Sequence, residues 1–221
     1  MRAANNSKTP VAISAEQLQR AHALSSATLH EAAGRRGALT ADLRPLSNGL
    51  RMCGVALPVS TPPGDNLWLH HAIRAANAGE VLVVDTKGGW EFGYWGEVMT
   101  VAAMMRNIAG LVIDGGVRDS TRLVELSFPV FSRAISIRGT GKNPCGNGAI
   151  GEPVLLGDVT VRRGDLVLGD ADGVVILPPE NIDNLLAEAE ARERKEQAIL
   201  DRLRRGETTI AVYGLPEPGA H

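Results

Sequence analysis

Aromatic residues are scarce: three Trp, two Tyr and three Phe, 4% of 221 residues. That scarcity removes most of the stacking surface on which single-stranded nucleic-acid binding relies. An excess of one charge is also lacking. The 23 Lys and Arg against 25 Asp and Glu leave a formal charge of −2, so nothing global attracts nucleic acid or anionic lipid. Two cysteines, Cys53 and Cys145, are too few for a disulfide framework. No apolar run approaches the roughly 20 residues of a membrane span, and no signal peptide is visible. A reducing, cytoplasmic setting is therefore expected. What is present, 44% hydrophobic and 22% charged residues, suffices for a globular core.

Residues 1–12 are polar and irregular and read as a flexible N-terminal arm. Ser14-Ala-Glu-Gln17 is a capping box for a helix to about His22. Ser25 or Ser26 can cap a second helix, Ala27–Ala33, which Gly34 ends. Arg35-Arg36-Gly37 is a basic turn, either solvated or a contact for a substrate carboxylate or another subunit. Met52–Ser60 reads as a strand, and Pro58 argues for an edge or a bulge. Asp65 or Asn66 can cap the helix Leu67–Ala76. His70 and His71 on that helix point in different directions, so they form no one-face metal pair.

Glu80–Asp85 has the apolar run of a central parallel strand. Trp90–Trp95 carries four of the eight aromatics, as a pocket wall, a lid or a subunit contact. A helix Glu97–Asn107 and a strand Gly110–Ile113 follow, then a glycine pair, Arg118-Asp119 and a short helix from Ser120. Pro129–Ile137 is a further strand. Gly139-Thr-Gly-Lys142 lacks the spaced glycine and the Ser/Thr of a phosphate loop. Asp170-Ala-Asp-Gly173 lacks the later ligands of a calcium loop and reads as a hairpin turn. Residues 180–205 form a long charged helix, and Thr209–Tyr213 could add a strand or dock on a neighbour. The whole predicts one α/β domain over 13–221, with a central parallel or mixed sheet, N-terminal helices and a long C-terminal helix.

The chemistry concentrates at Gly96-Glu97 and Arg118-Asp119. The first amides of a helix lack partners and sit at the positive end of its dipole. Such an end at Glu97, Val98 and Met99 binds a carboxylate, and Gly96 permits close approach. Arg118 adds a planar donor fork for a carboxylate or an enolate oxygen. Asp119 and Glu97 with waters make a magnesium or manganese site. Metal and arginine together stabilise charge developing on a keto oxygen, which suits retro-aldol cleavage or decarboxylation of an oxo acid. An arginine–aspartate pair after a glycine turn is equally the pattern of a structural ion pair with a helix cap. The residues alone leave both open.

Glu97, twenty further residues and then Arg118-Asp119 resemble the acidic–x20–Arg–Asp signature of the class II pyruvate aldolases, which share a fold with the RraA-like proteins. Ser26–Ala32, Pro62–Leu67, Gly110–Asp119, Phe128–Ser132 and Gly164–Val175 also look like segments of that family. Many of its aldolases carry aspartate where this chain has Glu97. The resemblance implies a single RraA-like domain of the swivelling β/β/α type. It implies Asp119 as the direct metal ligand, Glu97 holding the metal through water, and Arg118 on the pyruvyl keto oxygen. The Val98 and Met99 amides would take the carboxylate. It further implies a trimer or a pair of trimers, with Glu196 or Glu193 supplied by the neighbouring subunit. The implied reaction is cleavage of a 4-hydroxy-4-methyl-2-oxoglutarate or 4-carboxy-4-hydroxy-2-oxoadipate type of acid, with oxaloacetate decarboxylation beside it. The alternatives are a protein-binding regulator of a ribonuclease or helicase on the same scaffold, or a related lyase or decarboxylase for another small hydroxy or oxo acid.

Overall fold

The computed structural model describes residues 12–216, 218 and 219, so residues 1–11 of the predicted arm lie outside the described residues. The chain begins with α1 (Ala15–Ala23) and α2 (Ser26–Ala32). The Ser14 side chain accepts the Gln17 amide, and the Gln17 side chain accepts the Ser14 amide, forming the expected capping box. Ser25 caps α2. Ser26 instead donates its amide and hydroxyl to the Asp170 carboxylate at 2.7 and 2.6 Å.

The centre is a nine-stranded mixed sheet. Strand β3 (Glu80–Asp85), buried almost throughout, lies between and parallel to β2 (Met52–Ser60) and β5 (Gly110–Val117). Its run of valine and leucine suits a strand covered on both faces. Beyond β5 come β6 (Val130–Ile135), parallel, and β1 (Arg44–Pro45), antiparallel. Beyond β2 come β10 (Leu166–Asp170) and β11 (Gly173–Leu177), whose hairpin turn falls at Asp170–Gly173 as the sequence suggested. Short β4 (Gly93–Trp95) pairs with β5, and β7 (Ala149–Ile150) with β2. Segment 37–44 draws the two outer strands together. Leu39 donates to the Val174 carbonyl at 2.9 Å, and Arg44 Nη1 to the Asp172 carbonyl at 3.2 Å, so the sheet nearly closes.

Helices α3 (Leu67–Ala75), α4 (Glu97–Met104) and α5 (Ser120–Glu125) cover one face, packing on Leu82, Val84, Leu111 and Ile113. The other face packs on the separate hairpin β8 (Val154–Leu156) and β9 (Val159–Val161). Helices α1, α2 and the long α6 (Ile182–Arg204) lie on β10 and β11 through Leu29, Ile182, Leu186 and Ala189. Among the described residues, no helix is long and apolar enough to cross a membrane.

Four expectations are corrected. Pro58 is on an interior strand, paired with β3 over Val55–Ser60. β10 pairs with β2 over Met52–Val55 and β7 over Val59–Ser60, so the missing Pro58 donor falls in the gap between them. Tyr94 and Trp95 are fully buried core residues rather than a lid or a subunit contact. Trp95 stacks on Phe128, and its ring nitrogen donates to Thr100 Oγ1 at 2.7 Å. Strand β5 runs on to Val117 instead of ending at Ile113. Its glycine pair lies inside the strand because the 86–92 segment crosses close above: a Cβ at Gly115 would meet Thr86 Cγ2 at 2.7 Å, and one at Gly116 the Phe92 carbonyl oxygen at 2.7 Å. Finally, Thr209–Tyr213 is a short helix, α7, not a strand. Thr208 caps it and Gly214 stops it in a left-handed conformation, and these end signals override the β-branched composition.

Candidate functional site

Strands β4 and β5 are parallel neighbours, and each exits directly into a helix. The chain leaves β4 through Gly96 into α4, and β5 through Arg118-Asp119 into α5. The Arg118 amide donates to the Trp95 carbonyl at 2.8 Å and fastens the two exits together. The Glu97 amide donates to Asp119 Oδ2 at 3.0 Å, and Arg118 Nε lies 3.9 Å from the same oxygen. Asp119 is left-handed (φ 55, ψ 32), and its side chain makes no cap bond to its own helix. It is aimed across at α4. The four residues singled out in the sequence, Gly96, Glu97, Arg118 and Asp119, therefore meet.

Gly96 has an extended backbone that any residue can adopt, so its need for glycine is spatial. A Cβ there would lie 2.4 Å from Asp119 Oδ2 and 3.1 Å from Arg118 Cγ. The room it leaves is taken by the Asp119 and Arg118 side chains.

The Val98 and Met99 amides are the remaining open donors of the first turn of α4, since Thr100 already donates to the Gly96 carbonyl. The Val98 side chain is 80% exposed, while Met99 is buried. Beneath Met99 lies Asn66, whose Nδ2 donates to the Tyr94 carbonyl at 2.8 Å. Asn66 Oδ1 is buried without a hydrogen-bond partner among the described residues. The sequence suggested Asp65 or Asn66 as the cap of α3. Asn66 occupies the cap position without a side-chain cap bond, and Asp65 just before it supplies the oxygen, its Oδ1 accepting the Leu67 amide at 2.9 Å. Nothing in the sequence separated the two roles.

Arg122 was not singled out. Three residues after Asp119, it falls on the same face of α5. Its Nε and Nη2 both lie 3.1 Å from Glu97 Oε1, and its Nη1 pairs with Glu125. Hydrogen bonding to Glu97, then to Glu125, raises the guanidinium pKa above its ordinary value.

No group of three or more metal-ligating side chains occurs among the described residues. A magnesium- or manganese-type site requires less, one or two carboxylates and several waters. Asp119 fits that role: it is 42% exposed, and among the described residues no hydrogen bond falls on its Oδ1. Glu97 fits only through its second oxygen, the first being held by Arg122. Glu196 is elsewhere in the chain, 3.0 Å from Arg192 on α6. Arg192 also reaches Glu31 at 3.5 Å, and Glu193 accepts the Ser25 amide at 3.4 Å. None of the interactions among the described residues joins Glu193 or Glu196 to Arg118 or Asp119 of the same chain.

A groove of about 910 Å³ lies away from this cluster, between the end of α2, the β8–β9 hairpin and the start of α6. The basic turn lines it, but Arg35 is paired with Glu31 at 3.2 Å and Arg36 Nε donates to the Ala33 carbonyl. His70 and His71 are exposed on α3.

Residues 21–176 match the family described as RraA-like: Aldolase/RraA. The chain belongs to the RraA-like family. This RraA-like chain is 36% identical over 169 residues to a protein of Halalkalibacterium halodurans that carries the provisional name 4-hydroxy-4-methyl-2-oxoglutarate aldolase, covering 75% of this chain and 80% of that one. Its fold is similar to the crystal structure of an uncharacterized protein from Pseudomonas syringae, with a TM-score of 0.80 and 26% identity over 93% of this chain and all of the other. It is also similar to Streptomyces coelicolor RraAS2, described as an unusual member of the RNase ES inhibitor RraA family. There the TM-score is 0.75 at 28% identity, over 86% of this chain and 98% of that one.

Proposed function

We propose that this RraA-like protein is a divalent-metal-dependent carbon–carbon lyase. It cleaves a 4-hydroxy-2-oxo di- or tricarboxylic acid to pyruvate and a second oxo acid, with oxaloacetate decarboxylation as a side reaction. The observation that carries this is the convergence of Arg118, Asp119 and the open Val98 and Met99 amides at one mouth. The two amides hold the pyruvyl carboxylate at the positive end of α4. The Arg118 fork donates to the keto oxygen and stabilises the negative charge that develops there as the C3–C4 bond breaks. Asp119 would hold magnesium or manganese directly, with Glu97 assisting through water. When bound, that ion supplies Lewis-acid stabilisation of the developing charge and acidified water. The 4-hydroxyl proton leaves through solvent at this site, and a proton returns to C3 to give pyruvate.

On this proposal the site is half of an inter-subunit site, completed by Glu196, or Glu193, from a neighbour in a trimer or hexamer in the cytoplasm. Exposed apolar residues support it: Val98, Val101 and Met105 along α4, and Ile135 and Ile137 at and just past the end of β6. The test is pyruvate release from a panel of 4-hydroxy-2-oxo acids and oxaloacetate, with Mg2+ or Mn2+ and again with chelator. Turnover that chelator abolishes is expected; metal-independent turnover, or none, would sink the proposal. The likeness to the Streptomyces protein favours a second reading, a regulator of a ribonuclease. A catalytically silent protein that inhibits a ribonuclease would establish that reading instead.

A further inference from the structure

Glu97 is pulled two ways. Its amide is fixed to Asp119 Oδ2 at 3.0 Å, yet its carboxylate is turned to Arg122, where two donors converge on one oxygen at 3.1 Å. An aspartate is one methylene shorter and would leave its charge closer to Asp119. Arg122 is also held from its other side by Glu125, so it stays in place whether or not Glu97 is bound. The pair is about half exposed, at 55% for Arg122 and 39% for Glu97, so its strength is modest and screened by salt.

We infer that Arg122 is a positioning residue that competes with the divalent cation for Glu97, so that Asp119 alone holds the cation directly while Arg122 restrains Glu97 to its water-mediated role. This rests on the metal-dependent reading above. Removing Arg122 frees a carboxylate whose backbone is already tied to the primary ligand. The chain's glutamate in place of aspartate and its arginine one turn after Asp119 are then two parts of one device, which lowers cation affinity and makes it sensitive to ionic strength.

A double-mutant cycle read by Mn2+ binding tests it, with free Mn2+ followed by electron paramagnetic resonance in the full chain. Arg122→Gln is expected to tighten binding about two- to fivefold, the range that an exposed ion pair spans. Glu97→Gln should bind no more tightly than the unaltered protein, and adding Arg122→Gln to it should bring no further gain, so that the double variant binds as Glu97→Gln does. Unchanged or weaker binding by Arg122→Gln overturns the inference. So does a gain that persists in the double variant, because that is only the general effect of deleting a positive charge. Asp119→Asn separates the inference from the reading beneath it. Asp119-dependent binding that ignores Arg122 overturns the inference alone. Binding that ignores Asp119, or no binding by any of the proteins, overturns both.

Discussion

Strand β5 carries two arginine–carboxylate clusters that differ in what their donors are left to do. Asp114, within the strand, meets Arg133 of β6 at 2.5 Å, and Arg133 also meets Asp42 at 2.5 Å and lies 4.6 Å from the centre of the Trp90 ring. Arg133 and Asp114 are covered, with side chains 18% and 15% exposed. Past the end of the strand, Arg118 and Asp119 are 50% and 42% exposed, and their closest mutual approach is 3.9 Å. The first cluster satisfies its cation from two sides and roofs it with an aromatic ring. The second leaves a guanidinium fork, a carboxylate oxygen and two first-turn helix amides without partners among the described residues. The same residue types make a structural tie in one place and a candidate site in the other, and unspent hydrogen-bonding capacity is what separates them.

Three substitutions test that separation. Arg118→Ala should lower turnover by about 10²–10³-fold, the range for loss of a donor to a developing oxyanion, with stability within about 0.5 kcal/mol as for most exposed positions. Steady-state pyruvate assays and urea melts on one preparation check both halves. Arg133→Ala should do the reverse. It leaves Asp114 and Asp42 without their cation and should cost about 2–3 kcal/mol, the lower end for breaking a covered pair, since Asp42 is open to water. Activity per folded molecule should be unchanged; a loss of turnover without a loss of stability would show that the two clusters are not separate. Gly96→Ala places a Cβ 2.4 Å from Asp119 Oδ2, so on the proposed role about a tenfold loss of turnover is expected from displacing that carboxylate. Full activity in that variant would mean that the Asp119 position seen here is not the working one.

Much of this architecture could be read from local signals. The Ser14–Gln17 box, the buried run of β3 and the hairpin turn at Asp170–Gly173 each depend on neighbours in sequence. The meeting of Glu97 with Arg118-Asp119 followed from a resemblance and from adjacent strand–helix exits, and the geometry brings those residues together. What escaped is set by partners distant along the chain. Pro58 suits an interior strand only because two different strands divide its flank. Tyr94 and Trp95 become core only because β4 takes the place on β5 beyond the end of β3. Arg122 could have been found, since three residues from Asp119 is a helical neighbour. Arg133 could not, because its partners Asp42 and Asp114 lie on separate elements.

Asp119 carries one more consequence. A left-handed backbone at a residue other than glycine and a helix start without a side-chain cap each cost on the order of 1 kcal/mol. Both fall at this single position. Glycine would relieve the first, and serine in an ordinary cap geometry the second. In evolutionary terms, under the metal role proposed for it, position 119 is where the demands of the fold and the demands of use oppose each other. A lineage drifting under selection for stability alone would lose this acid early, while β5 and the sheet around it stayed intact.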